Sequence, residues 1–126
     1  MIVTHDNRVA SFSYNGPPSG MRVEGSCLNW CPRAQAETSS ADYSSCPAVH
    51  AEANAIIRAD YNDIADGTIY VTSAMCINCA KIIANSGLTR VVHVVSAADA
   101  PRHPDQVEKF LQDSGLTTVR VALNGS

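Results

Sequence analysis

Two short motifs in this 126-residue chain contain the residue types best suited to metal chemistry. The first is His50-Ala51-Glu52, and the second is Cys76-Ile77-Asn78-Cys79. Because Cys76 and Cys79 are three positions apart, both sulphur atoms project from one face of a helix. One imidazole and two thiolates make three protein ligands for Zn²⁺, which leaves the fourth tetrahedral position open for water, as in catalytic sites. Zinc lowers the pKa of such a water to about 7, so hydroxide becomes available at neutral pH.

Glu52 follows His50 by two residues, close to the metal without being needed as a ligand. A carboxylate there can take a proton from the water and pass it to a ring nitrogen and then to a departing amine. The pattern H-x-E followed by P-C-x-x-C is typical of zinc deaminases, and here Met75 stands in place of the proline. A C-x-x-C pair alone also suits a redox motif or half of a structural zinc site. Together, the two motifs favour catalytic zinc with Glu52 as proton shuttle.

The elements that must position these motifs alternate between strands and helices. The pattern predicts strands at 1–4 and 9–14, a helix at 47–60, a strand at 68–73, a helix at 76–86, a strand at 90–96, a helix at 104–114 and a strand at 117–123. Pro47 suits the first turn of its helix, and residues 15–45 are predicted to form a long loop, which at that length is usually functional. This order indicates an α/β fold with helices against a mixed sheet.

The bulk properties restrict the classes of partner. The length suits one domain over residues 1–126, with neither a hydrophobic run of membrane-spanning length nor a signal peptide. A formal net charge of −3 argues against a polynucleotide partner. Five cysteines without an export signal favour thiols for metal binding or catalysis over a disulfide framework, and predict a cytoplasmic location.

Three segments of the chain resemble the deoxycytidylate deaminases of the cytidine deaminase superfamily. They are Ser13–Gly20, Cys46–Ile56 and Cys76–Ile83. The Tyr-Asn-Gly-Pro-Pro element in the first segment separates this branch from tRNA adenosine deaminases and riboflavin-pathway deaminases. The resemblance implies a three-layer α/β/α fold with a five-stranded mixed sheet. Family members usually begin with an extra helix, whereas this chain starts almost in the first strand, so either the first family helix is absent or the natural chain extends upstream of Met1.

The activity implied by the resemblance is zinc-dependent hydrolytic deamination of dCMP, or of a 5-substituted dCMP. The products would be a dUMP- or dTMP-type nucleotide and ammonia, formed by zinc-bound hydroxide with Glu52 as proton shuttle. An alternative is a deaminase of another small amino-heterocycle, such as a nucleoside or free base. A non-catalytic zinc-stabilised module is a third interpretation, and Glu52 argues against it because a structural site needs no such carboxylate.

The resemblance also implies contacts with the substrate. Tyr14 and Asn15 would lie against the nucleotide, and the backbone around Ala51 and Ser73 would reach the edge of the cytosine. An asparagine amide offers both a donor and an acceptor for a sugar hydroxyl or a ring edge. The alternative is that Asn15 and Gly16 simply make a turn.

Further expectations concern the phosphate, assembly and the remaining cysteines. Candidate phosphate contacts from loops are Arg22, Arg33 and Arg102. The family implies a homo-oligomer, a hexamer or a smaller assembly built from dimers, which would also bury an uncovered sheet face. A second, structural zinc at Cys27, Cys31 and Cys46 is one interpretation, and partly buried free thiols are the favoured one.

Overall fold

The computed structural model describes residues 1–36 and 44–122, so the predicted end of the last strand at Leu123 lies outside the described residues. The strands are β1 (Ile2–Val3), β2 (Val9–Ser11), β3 (Thr68–Val71), β4 (Arg90–Val94) and β5 (Thr117–Val121). The helices are α1 (Cys27–Trp30), α2 (Pro32–Gln35), α3 (Ala51–Ile57), α4 (Tyr61–Ile64), α5 (Ile77–Ala84) and α6 (Pro104–Asp113), with a 3₁₀ helix at Ala97–Arg102. No helix in these ranges is both long and apolar enough to span a membrane.

The five strands form one mixed sheet in the order β2-β1-β3-β4-β5. β1 pairs antiparallel with β2 and β3, whereas β3, β4 and β5 run parallel. Helix α5 connects β3 to β4, and α6 connects β4 to β5. Because such crossovers are right-handed and both move in the same direction across the sheet, the two helices lie on one face. α3 and α6 each pack against α5 and complete this helix layer.

The two faces of the sheet differ in exposure. Ile2, Ile69 and Val91 share one row beneath the helices and are at most 1% exposed. On the opposite face, Tyr70 and Val92 are adjacent partners and are only half-buried. The helices therefore bury one face of the sheet and define the core, while the other keeps partly exposed apolar side chains.

The start of α3 differs from the sequence prediction. The predicted helix from Pro47 begins at Ala51, and His50 has an extended backbone (φ −64°, ψ 149°). The reason is a pairing that the sequence did not indicate: Val49 N–H donates to the Gly16 carbonyl at 2.7 Å, and Gly16 N–H donates back at 3.2 Å. This bridge holds the residues before the helix in a strand-like conformation.

Other helix and loop boundaries also differ from the sequence prediction. The predicted helix to residue 60 ends at Ile57, and a separate turn, α4, follows, with the Asp60 side chain accepting from the Asn62 amide at 2.8 Å. The long loop contains the short helices α1 and α2, which show no hydrophobic periodicity. Gly87 lies just beyond α5 with a φ of +93°, and a Cβ there would come within 2.8 Å of the Tyr61 ring.

Candidate metal centre and its surroundings

His50, Cys76 and Cys79 lie together with their ligand atoms within 4.8 Å of one another. His50 Nδ1 is 3.2 Å from Cys79 Sγ and 3.6 Å from Cys76 Sγ. Zinc–nitrogen and zinc–sulphur bonds of about 2.0 and 2.3 Å in a tetrahedron separate the two ligand atoms by about 3.5 Å. The donor set therefore fits a tetrahedral zinc site with three protein ligands. Within residues 1–36 and 44–122, this is the only such group of three histidine, cysteine or carboxylate side chains.

The fold positions two of these ligands in the same way. His50 and Cys76 are the residues immediately before α3 and α5, both with extended backbones, and neither side chain caps its own helix. Their side chains are directed instead toward a shared centre, which Cys79 approaches from the first turn of α5. Because the amino ends of two packed helices meet there, their peptide dipoles favour the negative charge of the thiolates.

The surroundings of Cys79 favour its neutral thiol when no metal ion is bound. Burial, the charge of Glu52 and the charge of Cys76 all raise the pKa of the Cys79 thiol. The influence of the Glu52 charge on Cys79 places that carboxylate near the ligand group. Without a cation the thiol is protonated, whereas coordination to zinc deprotonates a thiol outright.

The Tyr-Asn-Gly loop is hydrogen-bonded to the start of α3, beside the candidate metal centre. The Asn15 side-chain oxygen accepts a hydrogen bond from the Ala51 amide at 2.7 Å, at the first residue of α3. Asn15 thus provides an acceptor for an amide at the start of α3, where the His50 side chain provides none. The chain bends at Asn15 and bridges to Val49 at Gly16, and the contacts of this loop place Tyr14 and Asn15 next to the residues that follow His50. The substrate contact predicted for Asn15 stays a prediction.

Asn54 is a residue of this region that the sequence analysis did not single out. Its side-chain amide donates to the carbonyls of Tyr14 and Val49, at 3.2 and 3.3 Å. It therefore ties the loop to the segment that leads into His50. A signal existed, because Asn54 is four residues after His50 and lies on the same face of the helix.

Comparison with known proteins places the fold and the site in one family. A family model described as the cytidine and deoxycytidylate deaminase zinc-binding region matches residues 1–95. The chain belongs to this family. It is 43% identical over 98 residues to the deoxycytidylate deaminase of Mycobacterium phage D29, covering 73% of each chain. It is 27% identical over 118 residues to the deoxycytidylate deaminase of Saccharomyces cerevisiae, covering 92% of this chain but only 35% of the yeast protein.

A solved structure supports the fold of this deaminase-family chain. The crystal structure of dCMP deaminase from the cyanophage S-TIM5 in complex with dCMP and dUMP matches with a TM-score of 0.65 and 21% identity. The match covers 96% of this chain and 78% of the cyanophage chain. The predicted cytidine deaminase-like α/β fold with a five-stranded mixed sheet is thereby confirmed.

The arginines predicted near the phosphate occupy three different environments in this deaminase-family chain. Arg22 is exposed in the loop after Gly20, and Arg33 is half-buried in α2. Arg102 ends the 3₁₀ helix and donates from Nη1 to the carbonyl of Ala74 at 2.8 Å. Ser73, predicted to approach the substrate through its backbone, is exposed between β3 and Ala74. Of the three arginines, Arg102 has a recorded contact with the segment that leads to Cys76.

The three remaining cysteines do not form a second ligand group of the same kind. Cys31 is buried and contacts the thiol of the half-buried Cys46, whereas Cys27 is exposed. A hydrogen bond from the Ala34 amide and contact with Cys46 lower the pKa of Cys31, and burial raises that of Cys46. Within the described ranges, their sulphur atoms do not all come within 4.8 Å of one another.

Proposed function

We propose that this chain catalyses the hydrolytic deamination of dCMP, or of a 5-substituted dCMP, to a dUMP- or dTMP-type nucleotide and ammonia. The observation that carries the proposal is the His50, Cys76 and Cys79 group with the Glu52 carboxylate at Cys79, in a chain of the deaminase family. The phage and yeast relatives are deoxycytidylate deaminases, and the cyanophage relative binds dCMP and dUMP.

The residues of the metal centre divide into two tasks, holding the metal and transferring protons. Zinc held by His50, Cys76 and Cys79 would supply the Lewis-acid activation that makes water nucleophilic at neutral pH. Glu52 carries the protons in two transfers: it takes one from the water and delivers it to the ring nitrogen, and it then takes a second from the added hydroxyl and delivers it to the departing amine. A carbon–oxygen bond forms and the exocyclic carbon–nitrogen bond breaks, so water and dCMP become dUMP and ammonia.

Substrate contacts are proposed from the loop and from the backbone beside the metal centre. Tyr14 and Asn15 would contact the nucleotide, since the loop is anchored at the first residue of α3. The backbone of Ala51 and Ser73 would reach the cytosine edge. The Ala51 amide already donates to Asn15, so a substrate acceptor would have to share or replace that hydrogen bond. Arg22, Arg33 and Arg102 are the proposed candidates for the phosphate.

The substrate proposal predicts a ranking among cytosine compounds. At fixed salt, dCMP is expected to exceed deoxycytidine by about 10- to 100-fold in kcat/KM, because one charge-assisted hydrogen bond contributes about 1.5–3 kcal/mol. A short cytosine-containing oligonucleotide is expected to react least. The chain has nine lysines and arginines against twelve acidic residues, whereas binding a strand requires several cations along the phosphates.

Ammonia release measured with dCMP, 5-methyl-dCMP, deoxycytidine, cytosine and the oligonucleotide checks this ranking. Equal turnover of deoxycytidine would exclude a phosphate anchor and favour a nucleoside deaminase. Faster turnover of the oligonucleotide would contradict a mononucleotide substrate. A zinc-loaded protein that releases ammonia from none of these compounds would contradict the proposed function and favour a zinc-stabilised module.

We also expect a homo-oligomer, a hexamer or a smaller assembly built from dimers. The support is the sheet face opposite the helices, where Tyr70, Val92 and Val94 are half-buried and Val121 is 40% exposed. Contiguous apolar surface on a protein is usually buried by a partner. Light scattering at micromolar concentration is expected to give a multiple of 13.4 kDa, and Val121→Lys is expected to shift the mass downward. A 13.4 kDa species for the unmodified chain would contradict the expectation.

Three further proposals rest on the sequence. Residues 1–126 are taken as a single deaminase domain, in keeping with a sheet whose strands extend from Ile2 to Val121. The cytoplasmic location stays a prediction from the cysteine content. The second zinc at Cys27, Cys31 and Cys46 stays a prediction that zinc stoichiometry tests.

A further inference from the structure

The segment that delivers Cys76 to the metal centre lacks the restraint that the zinc-deaminase signature provides. This ligand loop, residues 72–75, connects the end of β3 to Cys76. A proline before the first cysteine fixes its own φ near −65° and confines the preceding residue to extended conformations. Met75 imposes neither restriction. The position of Cys76 is therefore restrained by tertiary contacts of the loop, among them the packing of the buried Met75 side chain in the core, and not by the local backbone alone.

Arg102 provides one such restraint from outside the ligand loop. Its Nη1 donates to the Ala74 carbonyl at 2.8 Å, across 28 positions of sequence. Ala74 is 2% exposed, and a buried carbonyl without a partner costs free energy. In the described residues, no backbone–backbone hydrogen bond outside the helices and strands engages Ala74 or Met75. A hydrogen bond from a guanidinium is also stronger than one between neutral groups.

The 3₁₀ helix that carries Arg102 is itself held in place. Ser96 precedes it and forms a capping box with Asp99, in which the Ser96 amide donates to the Asp99 carboxylate at 2.8 Å. Pro101 lies inside the helix and restricts the backbone next to Arg102. The guanidinium is therefore presented from a short, capped turn, which suits a positioning role better than a mobile loop would.

We propose that Arg102 is a positioning residue that holds the ligand loop, through the Ala74 carbonyl, in the place of the missing proline. The proposal rests on the deamination proposed above, because the loop carries both Cys76 and the Ser73 backbone expected at the cytosine edge. Arg102 would act on the reaction through these neighbours. The contact gives it a role different from that of a phosphate anchor, for which it was one of three candidates.

The test compares Arg102→Met, which keeps the length of the side chain but removes its donors, with Arg102→Lys, which keeps one donor group. Arg90→Met is the matched control, since Arg90 is exposed at the opposite end of β4. Each full-length, zinc-loaded protein is assayed for zinc content, for kcat and KM with dCMP and with deoxycytidine, and for amide hydrogen exchange in residues 72–79 by mass spectrometry.

Arg102→Met is expected to lower kcat about tenfold for both substrates, the effect of losing one charged hydrogen bond, with little change in KM. Exchange in residues 72–79 is expected to accelerate, Arg102→Lys to recover part of both effects, and Arg90→Met to match the unmodified protein. Loss of zinc from Arg102→Met together with faster exchange would also support the role, since the loop carries a ligand.

Two outcomes would overturn the proposal. One is unchanged kcat together with unchanged exchange in Arg102→Met. The other is a raised KM for dCMP alone with unchanged exchange, which would identify Arg102 as a phosphate contact. If the unmodified protein releases no ammonia from any substrate, the proposed function fails instead, and the exchange comparison still decides whether Arg102 holds the loop.

Discussion

Glu52→Ala is expected to retain one zinc per chain and a folded structure while losing nearly all deamination of dCMP. General acid–base groups typically contribute about 10²–10⁴-fold to rate, and the loss can exceed this when one carboxylate serves several proton transfers. The carboxylate lies near Cys79 but is not a member of the ligand group, so its removal leaves the three donors in place. The measurements are kcat for ammonia release and zinc content of the same preparation.

Two companion variants sharpen this comparison. Glu52→Gln keeps the size of the side chain and should be about as inactive, because an amide cannot carry the protons. Glu24→Gln changes an exposed glutamate in the loop before α1 and should leave kcat unchanged. Activity of Glu52→Ala within a few-fold of the unmodified protein would remove Glu52 from the mechanism.

Zinc is expected at one equivalent per chain, and Cys79→Ala is expected to lose both the metal and the activity. Cys79 is 3% exposed and supplies one of three donors, so its removal leaves only His50 and Cys76. Two donors bind zinc far more weakly than three, and the empty fourth position cannot compensate. Metal analysis of protein purified without chelator, and ammonia release before and after chelation, measure the two effects.

Cys27→Ser is the comparison variant for Cys79→Ala, because it tests the proposed second zinc. Cys27 is exposed and belongs to the proposed second group, not to the catalytic one. One zinc in both the unmodified protein and Cys27→Ser is the expected result and agrees with free thiols. Two equivalents that fall to one in Cys27→Ser would instead support the structural zinc. Absence of zinc from the unmodified protein would contradict the metal centre itself.

The chemistry of the site was readable from the sequence because it depends on residue type at short spacing. The C-x-x-C pair spans the start and the first turn of a helix, so its two sulphur atoms lie near one another whatever the rest of the fold. The alternation of strands and helices likewise predicted β3, α5, β4, α6 and β5, since each has its own hydrophobic period or breaker residues. Gly87 illustrates the local kind of signal, as its position after α5 requires a φ of +93°.

The contacts that assemble the site were decided by tertiary structure. The pairing of Gly16 with Val49 delays the start of α3 to Ala51 and leaves His50 extended, although Pro47 favoured an earlier start. The residue types of Gly16 and Val49 do not indicate that they pair, and no hydrophobic periodicity predicts the bridge. An uncovered sheet face was expected from the family resemblance, but only the structure shows which face it is, because that depends on both crossovers running in one direction.

Arg102 shows most directly where reasoning from sequence stops. Its charge and its loop position suggested a phosphate contact, and both are properties of the residue alone. Its partner is a backbone carbonyl 28 residues away, and every residue has such a carbonyl. Residue types at short spacing predicted which atoms of this protein could bind a metal and a substrate. Only the folded chain decided which distant backbone groups hold those atoms in place, because hydrogen bonds to the main chain leave no mark in the residue type of the acceptor.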